Sequence, residues 1–205
     1  MSQFDRKKHW ENIYETKSPE EVSWYQPVPH TSLEFINHFN VPKTAKIIDV
    51  GGGDSFLVDH LLELGYEDIT VLDISAAAIE RAKARLGEKA VQVHWIVSDA
   101  AGFQPTRTYD FWHDRATFHF LTDEKDIASY LTTIRQSLSA DGTLVIGTFS
   151  DKGPEKCSGI RIKQYSADSM SHLLGQYGFK KIYCITTDHV TPSGAKQHFT
   201  FCGFG

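Results

Sequence analysis

Two carboxylates frame the stretch of this chain whose residue types point to ligand chemistry. Asp49-Val50-Gly51-Gly52-Gly53-Asp54-Ser55 follows a short apolar run, and Asp73 closes the next apolar run, 20 residues beyond Gly53. Glycines between a strand and a helix let a ligand approach the backbone and meet the free N–H groups of the helix start. Asp73 falls where an open α/β fold places a carboxylate to accept hydrogen bonds from ribose hydroxyls. Each feature alone has a plainer reading. The glycines also suit a tight strand-to-helix turn, and Asp73 also suits a helix N-terminal charge ahead of Ser75. The pattern G-x-G-x-x-G of dinucleotide sites needs a small residue at position 56, which Phe56 occupies, and no Gly-Lys-Ser/Thr follows the glycines. A ligand with a ribose and no phosphate, S-adenosylmethionine, fits these residues better than NAD, FAD or a nucleoside triphosphate.

A second group follows the fourth predicted strand. His113, Asp114 and Arg115 are consecutive, and His119 lies six residues beyond His113. A histidine beside a carboxylate can deprotonate an alcohol, thiol or ammonium group. His113 and Asp114 are therefore the candidate catalytic pair. Arg115 is a candidate for a substrate carboxylate, with His119 beside it. The competing reading is a buried polar network that braces the loop. Near the N-terminus, Trp10, Tyr14, Trp24 and Tyr25 could form an aromatic lid, since cations sit favourably on rings. They could equally fasten the arm by packing. The segment 151–158, with Arg161 and Tyr165, and the segment 189–197 are further loops on the same edge, and exposed-loop status is the simpler reading of both. The ten histidines and three cysteines form no tight metal-ligand spacing, so no metal is expected.

These residues need a frame, and the hydrophobic pattern supplies one. Short apolar runs at 46–50, 69–72, 93–97, 109–113 and 143–149 read as strands. Runs at 56–64, 76–86 and 126–138 have helical spacing, with Ser75 as an N-cap and Gly65 and Gly87 as C-terminal stops. This alternation predicts a parallel sheet covered by helices on both faces. Residues 166–174 read as a helix. Residues 181–187 and 197–204 flank Pro192-Ser193-Gly194 and read as an antiparallel hairpin. Thr31-x-x-Glu34 reads as a capping box before a helix carrying Leu33, Phe35 and Ile36.

The length of 205 residues suits one domain, with residues 1–44 as an N-terminal helical arm or lid and 45–205 as the cofactor-binding core. Lys and Arg number 21 against 26 Asp and Glu, giving a net charge of −5, which disfavours a duplex nucleic-acid partner. No apolar stretch reaches membrane-spanning length, and the first ten residues lack an apolar signal core. Cys184 and Cys202 lie in apolar runs and read as buried thiols, so a reducing, cytoplasmic compartment is expected.

Several motifs in order resemble the class I S-adenosylmethionine-dependent methyltransferases. Ile47-Ile48-Asp49-Val50-Gly51-Gly52-Gly53 is similar to their first motif, Val71-Leu72-Asp73-Ile74-Ser75 to the second and Val97-Ser98-Asp99-Ala100 to the third. Tyr109 to Asp114 and Asp141 to Ile146 are similar to the fourth- and fifth-strand motifs. The resemblance implies a Rossmann-like, doubly wound α/β fold, with a seven-stranded sheet that is mostly parallel and ends in an antiparallel hairpin strand. It implies S-adenosylmethionine as cofactor, with S-adenosylhomocysteine as product. Gly51 and Gly53 would approach the methionine part, Asp73 the ribose and Asp99 the adenine. Trp10, Tyr14, Asp49, Gly52, Ile74, Ala100 and His113 would complete the cofactor site, leaving Trp24, Tyr25, Arg115 and His119 for the substrate. Ser55 departs from the third glycine of many members. Gly-x-Gly-Asp-Ser and the Trp-Tyr arm resemble the elongation factor 1A lysine methyltransferases, whose fourth-strand motif is different. Bacterial members with Trp-His-Asp-Arg-Ala-x-Phe-His-Phe-Leu-Thr, as at 112–122, are more similar. The acceptor is expected to be a small molecule, with a protein lysine, or a binding module without catalysis, as alternatives.

Overall fold

A computed structural model describes residues 4–205. Seven strands form one sheet: β1 Lys46–Val50, β2 Asp68–Asp73, β3 Val93–Val97, β4 Tyr109–Arg115, β5 Leu138–Phe149, β8 Lys181–Val190 and β9 Lys196–Phe204. Their spatial order is β3-β2-β1-β4-β5-β9-β8. Neighbours from β3 to β5 run parallel, and β9 runs antiparallel to both β5 and β8. The expected seven-stranded, mostly parallel sheet with its antiparallel hairpin is therefore observed. The sheet order reverses at β1, so β1 and β4 diverge to helices on opposite faces. A crevice opens there at the carboxyl ends of the strands. Two short strands, β6 Lys156–Cys157 and β7 Ile160–Arg161, form a separate ribbon within the polar segment after β5.

Among the described residues, six α-helices complete the fold: α1 Arg6–Thr16, α2 His30–His38, α3 Leu57–Glu63, α4 Ala76–Leu86, α5 Glu124–Ser137 and α6 Ala167–Gly175. On one face, Phe35 and Ile36 of α2 and Leu57, Val58 and Leu61 of α3 pack on Ile47, Val71, Phe111 and Val145. On the other, Ile127, Tyr130, Leu131 and Ile134 of α5 and Met170 and Leu174 of α6 pack on Ile48, Trp112, Leu144 and Ile146. Successive residues of a buried strand serve opposite faces, so these sets alternate along β1, β4 and β5.

Local expectations meet the structure unevenly. Ser75 caps α4 by accepting from the Ala78 N–H at 3.1 Å. Gly65, at φ 82°, follows the end of α3 in a conformation that favours glycine. The capping box at Thr31 does not form: α2 begins at His30 behind Pro29, without a side-chain cap, so Thr31 lies inside the helix. The arm divides in two. Its first part, α1 and the turn after it, crosses the crevice, whereas α2 belongs to the core.

Cys184 and Cys202 are a correction. They face each other across β8 and β9 and form a disulfide, with Cα atoms 4.2 Å apart. Two separate buried thiols were expected because each cysteine sits in its own apolar run. The hairpin register makes them direct neighbours, and the inference of a reducing compartment loses its basis. Cys157 is the free cysteine. No helix among the described residues is long and apolar enough to cross a membrane.

Candidate functional site

A cavity of about 1270 Å³, its open mouth included, lies at the carboxyl ends of β1, β2 and β4 under the N-terminal arm. Asp49, Gly51, Gly52, Asp73, Ile74, Asp99 and Ala100 line one end. Trp10, Tyr14, Trp24 and Tyr25 of the arm and His113 and Arg115 of β4 line it as well. Gly53 sits just beneath the lining.

The glycine loop is shaped by its own carboxylates. Gly51, at φ 71°, turns the chain out of β1, and its N–H donates to the Leu72 carbonyl at 2.7 Å. A Cβ there would strike the Thr117 hydroxyl, one on Gly52 would strike the Asp49 carboxylate, and one on Gly53 would lie 2.7 Å from Asp73 Oδ2. The glycines are thus needed to let the chain's own acids fold over the backbone. Asp73 accepts from the Gly53 N–H at 3.0 Å on one oxygen and from the Ser75 N–H at 2.8 Å on the other. Burial pushes its carboxyl up to about 6, against the pull of those N–H groups. Each oxygen keeps acceptor capacity toward the cavity. Asp99 accepts from the Ala101 N–H at 3.0 Å and pairs with Arg6 at 3.2 Å.

The consecutive residues of β4 separate onto opposite faces of the sheet. His113 faces α2 and is buried: its Nδ1 donates to Asp49 Oδ1 at 2.7 Å, and its Nε2 lies 2.9 Å from the Ser32 hydroxyl. With Asp49 as the carboxylate, Nδ1 carries the proton and Nε2 accepts from Ser32. The partner of His113 is therefore Asp49, its register neighbour on β1, and not Asp114. Asp114 faces α5. It accepts from the Thr117 and Phe118 N–H groups at 3.0 and 3.1 Å and from the Tyr130 hydroxyl at 2.6 Å. Burial raises its carboxyl to about 6. Asp114 is not in the cavity wall, which corrects its placement as a catalytic partner: strand alternation sends it to the far face. It braces the turn after β4, where Ala116 takes φ 66°, a left-handed conformation that costs a non-glycine residue roughly 1–2 kcal/mol.

His119 is also corrected. It is fully buried behind the cavity wall, and its Nδ1 accepts from the Phe149 N–H at 3.2 Å. Burial, with the nearby Arg115 charge, lowers its pKa to about 3, so it stays neutral. Arg115 reaches the cavity, and its Nη1 donates to the Trp24 carbonyl at 3.1 Å.

The arm is latched over this wall. The Glu11 carboxylate accepts from the Ser75 hydroxyl at 2.5 Å and from the Ala76 and Ala77 N–H groups at 2.9 and 3.0 Å. Arg81 donates to the Tyr14 and Lys17 carbonyls at 3.0 and 2.8 Å. Trp10 packs edge-on against Phe120 and Trp24 with centroids 4.9 and 5.6 Å apart. The arm rings thus both fasten the arm and line the cavity. Cys157 and Gln197 fall in the two segments read as loops on this edge, whereas sequence reasoning missed Ser32, Phe120, Phe149 and Phe199 in the wall. The β5–β9 register, which sets Phe149 opposite Phe199, is the signal that finds the last two.

Residues 47–142 match the family model described as a methyltransferase domain. The eEF1A lysine and N-terminal methyltransferase of Mus musculus is 28% identical over 138 residues, 65% of this chain and 18% of the relative. The malonyl-[acyl-carrier protein] O-methyltransferase of Anoxybacillus flavithermus is 32% identical over 125 residues, 60% of this chain and 44% of the relative. The chain thus spans less than half the length of either. Among solved structures, the 1,6-didemethyltoxoflavin-N1-methyltransferase of Burkholderia thailandensis, with bound 1,6-didemethyltoxoflavin and S-adenosylhomocysteine, superimposes with a TM-score of 0.71. It covers 97% of this chain and 85% of its own at 17% identity, a likeness of fold. Sheet order, the glycine loop with Asp73 and the family match over residues 47–142 agree in their likeness to the class I S-adenosylmethionine-dependent methyltransferases.

Proposed function

We propose that this protein transfers a methyl group from S-adenosylmethionine to a small-molecule nucleophile. The observation that carries the reading is the single cavity. It joins the Asp73 and glycine-loop end to an end walled by Trp24, Phe149, Phe199 and Arg115. The residues fit the cofactor. Asp73 offers ionised acceptor oxygens above a pH of about 6, suited to a pair of ribose hydroxyls. Asp49 Oδ2 is buried and without a partner, a free acceptor beside the glycines. Asp99 and Ala100 stand where an adenine edge would lie, and Trp10, Tyr14 and Ile74 close over that end.

S-adenosylmethionine supplies an electrophilic methyl group on a sulfonium, so an acceptor needs alignment, plus a proton sink if it arrives protonated. The arm covers part of the cavity and lines it with Trp10, Tyr14, Trp24 and Tyr25, which would align its contents. His113 holds Asp49 in place through Nδ1. Its Nε2, paired with the Ser32 hydroxyl, is the position in the wall that can take a proton. Asp114 acts only through the turn it braces.

A second reading, a protein lysine acceptor, draws support from the similarity to the eEF1A-directed relative. The latched arm weighs against it, because a polypeptide must enter where Trp10 and Trp24 now pack. Transfer of labelled methyl from S-adenosylmethionine in a cell lysate, separated by size, tests the proposal. Label in the small-molecule fraction is expected. Label in protein favours the lysine reading, and cofactor binding without label in any lysate contradicts both.

A further inference from the structure

The charged residues of the cavity wall are matched within the protein, with one exception. Arg6 pairs with Asp99 and with Asp126, at 3.2 and 2.8 Å. Asp54 pairs with Arg81 and Arg85, at 3.0 and 2.9 Å. Asp49 takes His113, and Asp73 takes two backbone N–H groups. Arg115 has no carboxylate within 4.0 Å among the described residues. Its Nη2 is shielded from water and makes no hydrogen bond. Burial lowers the guanidinium to about 10, so it remains a cation at neutral pH. A buried charged donor left unpaired is costly. Such a group is expected where a ligand completes it.

Its surroundings narrow that ligand. The guanidinium lies over the Phe199 ring, 5.4 Å from its centroid, and Phe199 is edge-on to Phe149 at 4.8 Å. Trp24 contributes both a ring to the wall and the carbonyl that fixes Nη1. Among the described residues, Arg115 is thus the one cation of the cavity lining without a carboxylate partner, with its Nη2 unpaired and aromatic rings around it. A planar guanidinium edge matches a carboxylate in a two-point contact. Asp49 stands close enough to interact electrostatically with Arg115 without touching it, and a dianion would meet that negative charge.

We propose that the methyl acceptor is a small monocarboxylate with an apolar or aromatic body: its carboxylate pairs with the Arg115 guanidinium, completing the unpaired Nη2, and its body lies against Phe149, Phe199 and Trp24. This rests on the methyltransferase reading above and names its substrate class.

The test uses benzoate, benzamide and phenyl phosphate as probes, with binding measured by calorimetry or ligand-observed NMR, with and without S-adenosylhomocysteine. Benzoate should bind at least about tenfold more tightly than benzamide or phenyl phosphate, the difference a guanidinium–carboxylate contact makes. Arg115→Met should abolish that preference while S-adenosylhomocysteine affinity stays within about threefold. Arg115→Lys, which keeps the charge and loses the fork, should fall between. Equal affinity for benzoate and benzamide, no benzoate binding, or tighter phenyl phosphate binding overturns the proposal. So does a preference that survives Arg115→Met. The probe comparison on the unaltered protein decides the matter even if the variants fail to fold. Absence of S-adenosylhomocysteine binding, with benzoate preference intact, would sink the cofactor reading and leave the anion site standing.

Discussion

Removing the Glu11 carboxylate should unlatch the arm without unfolding the core. Glu11 belongs to α1 and hydrogen-bonds to the start of α4, where it accepts from one hydroxyl and two backbone N–H groups. Burial works to raise its pKa, but the Ser75 hydroxyl and the Ala77 and Ala76 N–H groups outweigh it, and the carboxyl ends below its usual value. The latch is therefore fully present above the ordinary carboxyl range and is lost as the pH falls through the lowered pKa. Hydrogen bonds to a charged group contribute about 1.5–3 kcal/mol, and partial exposure places this set near the low end. In Glu11→Ala the lifted arm lets water reach the Ala76 and Ala77 N–H groups, so about 1–2 kcal/mol is lost from closure alone. That corresponds to a roughly 5- to 30-fold larger open fraction. Glu11→Gln keeps one acceptor oxygen and should lie between. Hydrogen exchange over residues 6–16 reads the opening directly, and the dissociation rate of S-adenosylhomocysteine should rise in step. Unchanged exchange in α1 of Glu11→Ala would refute the latch. Equal acceleration in the strands would mean that the whole fold had loosened instead.

Asp114→Ala strands two backbone N–H groups and the Tyr130 hydroxyl in the core. It should cost about 3 kcal/mol and lower the Tm by roughly 6–12 °C, with cofactor affinity nearly kept; lost affinity at an unchanged Tm would return Asp114 to the site. His119 is held neutral to about pH 3, so between its ordinary pKa and that value the unfolded chain binds one more proton than the folded one. Stability from this residue therefore falls as the pH drops, by about 2–3 kcal/mol at pH 4.5. His119→Asn, which keeps an acceptor for the Phe149 N–H, should gain that much on the native protein between pH 7.5 and 4.5; parallel urea midpoints at both pH values would contradict it. Thiol titration of the protein unfolded without reductant should count one free thiol, Cys157; a count of three would overturn the Cys184–Cys202 bond.

The parts of the fold legible in the sequence were those written in local periodicity. Ala76 to Leu86 announced α4 because alanines at helical spacing lie between a serine cap and Gly87. The run 46–50 is a buried central strand and the run 93–97 a half-buried edge strand, both bounded by turn residues. What the sequence hid depends on register. His113 and Asp114 are neighbours in the chain and strangers in space, while Asp49 lies beside His113 only because β1 and β4 pair in parallel. Cys184 meets Cys202 by the same logic in the hairpin. Asp141-Gly142 reads as a turn, yet β5 runs from Leu138 to Phe149 through it. The irregularity shows as a register shift: Tyr109 pairs with Leu138 and Phe111 with Thr143. In the site, Asp73 and the glycines were visible because a strand end followed by a helix start is a local event. Phe149, Phe199 and Ser32 were not, because they meet only after β9 docks on β5 and α2 on the sheet.

The most direct test of the central claim is calorimetric titration of the protein with S-adenosylmethionine, alongside NAD and the Asp73→Ala variant. One S-adenosylmethionine per chain, no binding of NAD, and affinity lowered about tenfold or more by Asp73→Ala are predicted, the loss expected when a charged acceptor of two hydroxyls is removed. Binding of NAD in place of S-adenosylmethionine, or S-adenosylmethionine affinity indifferent to Asp73, would contradict the account.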